Sequence, residues 1–426
     1  MLYSKEICSV GDYDTVVIGG GASGVSTAVS AAMLGARVAI VERAPVLGGN
    51  LTVGHVGPTM GSYGKNTMAD RINRLIGCDK RMVQDFEMAK IRITDLVSQH
   101  GITVLLNTAL VDAVVSDNRI TDLILASQSG PVRIGGRVFV DATGDGVLSY
   151  LAGEEIEYGR EDGLVQPVSI MFTIEGIDPE QKIICRHEEM DTVLRRGSYL
   201  ELCKRAAKSG ELPENVNIVR LYPCADPGER MVNATQLCGM DVLDPAKYAE
   251  AQSILRSQML TVLNFLKNNV EGFENARIKD SSDGIGVRES RRVVGEYTVT
   301  AEDMIAGRRF EDVIVHDAFF PIDIHNPNGA GQAESDGRPV EVRPYDLPYR
   351  AVIPKKNGNL YLAGRAISGT HRAHASYRVM NIAMNIGEAV GIGAALCARD
   401  GVSPRNLDPK KLQSELISRG IELFDS

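Results

Sequence analysis

Asp14–Gly24 reads DTVVIGGGASG, and the spacing of its glycines decides how the first third of the chain folds. Thr15–Ile18 is a short apolar run of the kind a parallel sheet buries on both faces. It breaks at Gly19-Gly20-Gly21, and residues 22–34 continue as a helix of small and apolar side chains. Gly19, Gly21 and Gly24 fit G-x-G-x-x-G. The first permits a tight turn, the second lets backbone approach a pyrophosphate, and the third lets helix and strand pack closely. The phosphates would meet the helix N-terminus at Ala22 and Ser23, where free N–H groups and the dipole favour anions. Gly35 ends the helix, and Ala36–Val41 (ARVAIV) is a second buried strand. It stops at Glu42, whose carboxylate can accept both hydroxyls of a ribose. Strand, glycines, helix, strand and acid in this order specify a dinucleotide site.

The residues after Glu42 separate FAD from NAD. Arg43–Gly54 reads RAPVLGGNLTVG, with a second glycine pair at Gly48-Gly49 followed by Asn50. Backbone amides there can reach the far phosphate and the flavin edge, which an NAD site does not require. Residues 83–100 read as a helix and 103–107 (TVLLN) as a strand. Leu110–Val115, Ile120–Ser127 and Val132–Ile134 form a meander with turns at Asp117-Asn118 and Ser129-Gly130. Arg137–Gly146 (RVFVDATGDG) and Asn359–Gly364 (NLYLAG) each run from a buried strand into a glycine turn. Between them, 168–175, 216–222 and 231–235 read as strands, and 191–209 and 245–270 as helices. The expected organisation is α/β. A Rossmann-like FAD-binding domain with a β-meander (1–157 and 352–426) is interrupted by a mixed α/β substrate cap (158–351), which keeps water from the flavin. Gly284 and Gly286, in DGIGVRE, lack a preceding strand and read as a turn, so no second nucleotide domain is expected.

Composition narrows the partners. A chain of 426 residues is too long for one simple core. The net charge of −9 disfavours nucleic acid and anionic membranes, which reward basic surfaces. Seven cysteines contain no CxxC or CxxxxC pair, which disfavours a zinc site and a redox dithiol. The start carries no charged-then-apolar leader, so a cytoplasmic location with reduced thiols is expected. Residues 379–398 are long enough to span a membrane, but Asn381, Asn385 and Glu388 mark a buried helix instead.

The order GGGASG, Glu42, LGGN, meander, DATGDG, LYLAGR and a glycine-bearing last helix resembles the glutathione-reductase-like FAD fold. Gly286–Met304 (GVRESRRVVGEYTVTAEDM), Phe320–His325 (FPIDIH) and Gly364–Met380 (GRAISGTHRAHASYRVM) resemble a narrower group. These are the FAD-dependent oxidoreductases related to the flavoprotein subunits of succinate dehydrogenase and fumarate reductase. The resemblance implies that Gly19, Gly21 and Gly24 hold the pyrophosphate, and that Glu42, with Arg43 beside it, holds the adenosine ribose. It implies that Leu110 meets the adenine through its backbone, that Gly144 and Asp145 flank the adenosine half, and that Gly364 approaches the ribityl chain. Met380 and Asn381 would open the helix at the pyrimidine edge. Arg365 departs from the pattern, since many relatives carry Asp there; it would pair with a phosphate or lie at the surface. His55 lacks the surroundings of a covalent flavin link, so non-covalent FAD is implied.

Three clusters could do chemistry. His371, His374 and Arg378 fall within THRAHASYR, where the relatives bind a substrate carboxylate with a comparable arginine. Arginine offers a rigid fork to a carboxylate, and histidine titrates near neutral pH. Arg288 lies in VRESRR, where one arginine should face the pocket while others pair with Glu289 or Glu296. Alternation puts Asp323 and His325 on one face. Together these suggest a dehydrogenase or reductase moving hydride between flavin and a small, anionic or polar metabolite. A flavin oxidase or monooxygenase is the alternative, and a tRNA-modifying flavoprotein a more distant one. Substrate, electron acceptor or donor, and homo-oligomerisation stay open.

Overall fold

The computed structural model describes residues 7–78, 82–83, 85–181, 183–184, 193–194, 197–334 and 338–424. β1 (Cys8–Ile18) leads through α1 (Ala22–Ala32) to β2 (Val38–Val41), parallel to it in the register Thr15↔Val38 to Ile18↔Val41. α2 (Met68–Leu75) and α3 (Phe86–Gln99) precede β3 (Thr103–Leu105), which extends the parallel sheet beyond β2. β4 (Ala109–Ser116), β5 (Arg119–Ser127) and β6 (Gly130–Asp141) make the antiparallel meander. The stretches 132–134 and 137–141, which the sequence separates, belong to the single strand β6. Its first half pairs with β5 on one side, while from Val132 onward it runs parallel to β1, ending at Ile18↔Asp141. β17 (Leu360–Leu362) lies on the other side of β6, ending at Leu362↔Asp141. The carboxyl ends of β1, β6 and β17 are therefore level, and each runs into its glycine turn at the same rim.

Between these parts come α4 (Val147–Leu151), β7 (Ile156–Tyr158) and the cap. The cap sheet has the order β11-β12-β8-β13, from β8 (Phe172–Glu175), β11 (Arg220–Pro223), β12 (Arg230–Asn233) and β13 (Arg277–Ser281). A two-residue ladder joins β9 (Val193–Leu194) to β10 (Gly197–Ser198). α5 (Tyr199–Ser209) and α6 (Pro245–Asn269) bury Cys203, Leu255, Val262 and Phe265 against Phe172 and Ile174. The helix expected from 191 begins at Tyr199, and residues 191 and 192 lie outside the described residues. The strand expected from 216 begins at Arg220.

The hydrophobic cores divide the chain differently from the expected 158–351 insertion. The cap core contains residues from Val168 to Ile285. Val293, Met304, Val313, Tyr345 and Ile353 instead pack into the core of Val17 and Ile40. β14 (Arg291–Val293) pairs with β7, closing the neck through which the chain leaves and re-enters the cofactor domain. α7 (Ala301–Ala306) opens with a capping box of Thr300 and Asp303. β15 (Val313–Ala318) and β16 (Tyr345–Pro348) form an antiparallel pair, and β15 packs on the last long helix. These strands look like cap strands in sequence because an apolar run does not declare its partner.

α8 (His371–Tyr377), α9 (Met380–Asp400) and α10 (Pro409–Ser418) complete the fold. α9 is long and apolar enough to cross a membrane, yet 94% of its apolar window is buried within the protein. It lies against α1 at backbone contact. A Cβ on Gly387 would sit 2.4 Å from Ser23 O, and one on Gly391 2.2 Å from Thr27 O.

Candidate functional site

The rim where β1, β6 and β17 end opens onto a cavity of about 720 Å³. That volume lies within the usual range of small-molecule and cofactor sites. Gly19, Gly21, Ala22 and Ser23 line it from the β1–α1 turn, and Glu42 and Arg43 from the end of β2. Gly49 and Asn50 line it from the following loop, Gly144 and Asp145 from the turn after β6, and Gly364 and Arg365 from the turn after β17. Arg378 and Met380 close one wall, and the cap contributes Val242, Leu243, Pro245, Tyr248 and residues 283–285 and 287. The glycines divide by what a side chain would hit. A Cβ on Gly24 would lie 1.8 Å from Gly19 O, so this glycine serves the packing of helix on strand. A Cβ on Gly21 would meet no protein atom within 4 Å, so this glycine keeps room for an occupant. Ser23 Oγ, in the first turn of α1, is buried without a hydrogen-bond partner.

Two carboxylates are fixed on this rim. Glu42 accepts from Gly20 N at 2.6 Å and Ala44 N at 2.7 Å, which locks it at the end of β2. Asp145 accepts from Arg365 Nη2 and Ser290 Oγ, each at 2.6 Å. Burial pushes the Asp145 carboxyl up, but Arg365, Ser290 and Arg43 outweigh it and hold it below the usual carboxylate value. Arg365 thus neither waits at the surface nor stands alone for a phosphate; it is the counter-ion of Asp145.

At the cap end, Arg378 Nη2 reaches Asp323 Oδ2 at 3.2 Å and Asp323 O at 3.1 Å. His325 Nε2 lies 3.3 Å from the same Oδ2, and Gln332 Nε2 donates to Oδ1 at 2.5 Å. Burial would raise the Asp323 carboxyl, yet His325, Arg378 and Arg220 hold it far below its ordinary value, so it is a carboxylate. Burial, Arg288 and Arg378 push His325 down to about 4 against the pull of Asp323, leaving a neutral imidazole. With Nε2 donating to Asp323, its Nδ1 carries the lone pair. Arg288 donates to Pro167 O at 2.7 Å. His325 and Arg288 line a separate chamber of about 20 Å³.

The model of the FAD-dependent oxidoreductases matches residues 14–416. The chain belongs to this family. No curated protein matches it. Among solved structures, it is similar to a geranylgeranyl bacteriochlorophyll reductase-like protein from Thermoplasma acidophilum. The two are 11% identical, with 97% of this chain and 84% of that one covered at a TM-score of 0.47. It is similar also to the flavin-dependent brominase Bmp2, at 13% identity, 96% and 83% coverage and a TM-score of 0.49. A third is p-nitrophenol 4-monooxygenase PnpA from Pseudomonas putida DLL-E4, at 10% identity, 95% and 83% coverage and a TM-score of 0.48. These likenesses are to general shape and carry no property over.

FAD is the cofactor of this oxidoreductase, and the cavity has the features FAD requires. The bare Gly21, the unpartnered Ser23 Oγ and the N-terminus of α1 suit a pyrophosphate. Glu42 suits a ribose. Other expected residues sit elsewhere. Gly24 and Gly48 lie behind the lining; a Cβ on Gly48, at φ +103°, would touch Thr52. Leu110 does not line the cavity. It sits on the outer meander strand opposite Leu125, and Asn107 and Thr108 are the residues that bond the Glu42–Ala44 backbone. Asn381 is a buried tie, donating to Thr59 O and Gly61 O at 2.9 Å and accepting from Asn73.

Neither histidine of THRAHASYR lines the cavity. His371 Nδ1 binds Glu289 Oε1 at 2.7 Å, and Arg292 Nη1 binds the same oxygen at 2.7 Å, so His371 belongs to the neck. His374 is fully buried with no partner on either ring nitrogen. Burial and the nearby Arg292, Arg378 and Arg365 hold it neutral. The expected strand alternation at 288–291 is absent, since β14 starts only at Arg291. The cap lining, Val242–Tyr248 and 283–287, carried no motif; the DGIGVRE glycines were its one visible trace.

Proposed function

We propose that the protein is a dehydrogenase or reductase acting on a small anionic metabolite, with Arg378 as the group that binds the anion. Bound FAD supplies the two-electron acceptor or donor, exchanging a hydride with the substrate. The observation behind this reading is the position of Arg378. Its guanidinium stands on the cavity wall beside Met380, braced by Asp323, and is the one member of the arginine–histidine clusters that faces the cofactor space. A braced guanidinium meets a carboxylate in two parallel hydrogen bonds, which also fixes the substrate's orientation. The cap roof of Val242, Leu243 and Tyr248 excludes water from the reacting atoms. A cytoplasmic site of action is in keeping with the six described cysteines, all unbridged.

The test is anaerobic mixing of the flavin-loaded protein with a panel of carboxylated and uncharged metabolites. Bleaching of the visible flavin band by carboxylates alone is the expected result, lost in Arg378→Gln. Rapid consumption of oxygen with peroxide or a hydroxylated product would favour the oxidase or monooxygenase alternative. Reaction with uncharged compounds only would overturn the role given to Arg378.

A further inference from the structure

Asp145 is braced on one oxygen only. Its Oδ1 accepts from both Arg365 Nη2 and Ser290 Oγ, each at 2.6 Å. Its Oδ2 takes no hydrogen bond among the described residues, yet it is not buried. Asp145 lines the large cavity, so this second oxygen is an accessible acceptor on the cavity wall. Against the upward push of burial, Arg365, Ser290 and Arg43 keep the group ionised, and an ionised carboxylate can only accept. Its partner is therefore a hydroxyl or an N–H, not a phosphate oxygen.

The strand order says which part of the cofactor can supply that donor. Along the rim the parallel strands run β2, β1, β6, β17. Glu42 follows β2 and Asp145 follows β6, on opposite sides of the β1–α1 turn that suits the pyrophosphate. Neighbouring strands lie about 4.8 Å apart, so the two carboxylates leave the sheet two strands, or about 10 Å, apart. One ribose cannot satisfy both. With the adenosine ribose on Glu42, the part of FAD that continues past the pyrophosphate toward β6 and β17 is the ribityl chain, which carries hydroxyls.

We propose that Asp145 Oδ2 accepts a hydrogen bond from a ribityl hydroxyl of FAD, with Arg365 and Ser290 as the positioning residues that aim it. The inference rests on the cavity being the FAD site, and it moves Asp145 from the adenosine half of the cofactor to the flavin half. Arg365, from the turn after β17, then serves the cofactor through Asp145 and not by its own contact.

The experiment is calorimetric titration of the apoprotein with FAD and, separately, with ADP, which carries the adenosine and the pyrophosphate but no ribityl chain. Asp145→Asn should bind FAD about tenfold more weakly, the weight of one hydrogen bond to a charged group, and should bind ADP as wild type does. Glu42→Gln should weaken both ligands by a similar factor, which reports on the FAD site independently of Asp145. Should Asp145→Asn fail to fold, the wild-type protein decides, titrated with FAD analogues lacking the 2′-, 3′- or 4′-hydroxyl of the ribityl chain. One of the three should bind about tenfold more weakly than FAD. Equal losses of FAD and ADP in Asp145→Asn, unchanged FAD affinity in that variant, or three analogues that all bind as tightly as FAD would overturn the proposal. The Glu42→Gln result would then still speak for the cavity as the FAD site. No turnover is measured, so the role of Arg378 would stand as well.

Discussion

The cofactor cradle and the cap junction are built from different materials. The cradle is backbone: turns at Gly19–Gly21, Gly144 and Gly364 brought level by sheet register, with a few fixed side chains such as Glu42. The cap junction is side chain: Arg378, Asp323, His325, Arg288 and Arg220, drawn from four segments and clustered around the Asp323 carboxylate and the His325 imidazole. A backbone site tolerates almost any change except added volume, whereas a charge cluster tolerates almost any change except lost charge.

The largest effect should come from adding one methyl to the cradle. Gly24→Ala places a carbon 1.8 Å from Gly19 O, so β1 and α1 must move apart. A loss of about 3 kcal/mol of stability, together with FAD binding, is expected by denaturant unfolding and flavin absorbance. Normal stability in Gly24→Ala would mean that the β1–α1 packing is looser than described.

Arg378→Gln should do the reverse: retain FAD and lose turnover. Removing a charge-assisted contact to the substrate should lower kcat/KM by about 100-fold, with Tm lowered as well because Asp323 loses a buried partner. An unchanged kcat/KM with a lowered Tm would make Arg378 purely a brace.

The two regions should also differ in their response to pH. His325 is depressed to about 4 from an ordinary 6.5. As pH falls below 6.5 the unfolded chain takes up this proton first, so its contribution to stability is full above 6.5 and lost toward 4. Glu388, in the cofactor-domain core, has the opposite sign. It accepts from Met68 N at 2.7 Å, and burial raises it from 4.5 to about 7. The folded protein keeps a proton that the unfolded chain releases, so this contribution is present below 4.5 and lost as pH rises through about 7. Tm measured from pH 4 to 8 should lose its acid limb in His325→Asn and its neutral limb in Glu388→Gln. Parallel curves for wild type and both variants would contradict these assignments.

This contrast also explains what could be read from the sequence. The cradle is a local pattern, because strand, glycine turn, helix and acid lie within 29 residues from Asp14 to Glu42 and each has its own signature. The equivalence of the β6 and β17 turns was visible for the same reason. That Leu110 faces Leu125 across the meander and does not line the cavity depends on strand register, which no local pattern declares. Asn381 sat beside a cavity residue and was read with it, but helical geometry turns adjacent side chains about 100° apart, and Asn381 ties α9 to the 59–61 loop instead. The late strands β15 and β16 returned to the first core without any local mark. The cap junction was legible only as residue types. The pairing of Asp323 with His325 followed from alternation, whereas the meeting of both with Arg378, and of Arg220 with Arg288, is tertiary.

The central claim, that the cavity between the glycine turns is the FAD site, is tested most directly by titrating FAD into apo Gly21→Ala. A Cβ there meets no protein atom but enters the cavity. The expected result is an unfolding midpoint equal to that of wild-type apoprotein with FAD binding weakened by about 100-fold, or about 2.7 kcal/mol. Wild-type affinity for FAD in the correctly folded variant would contradict it.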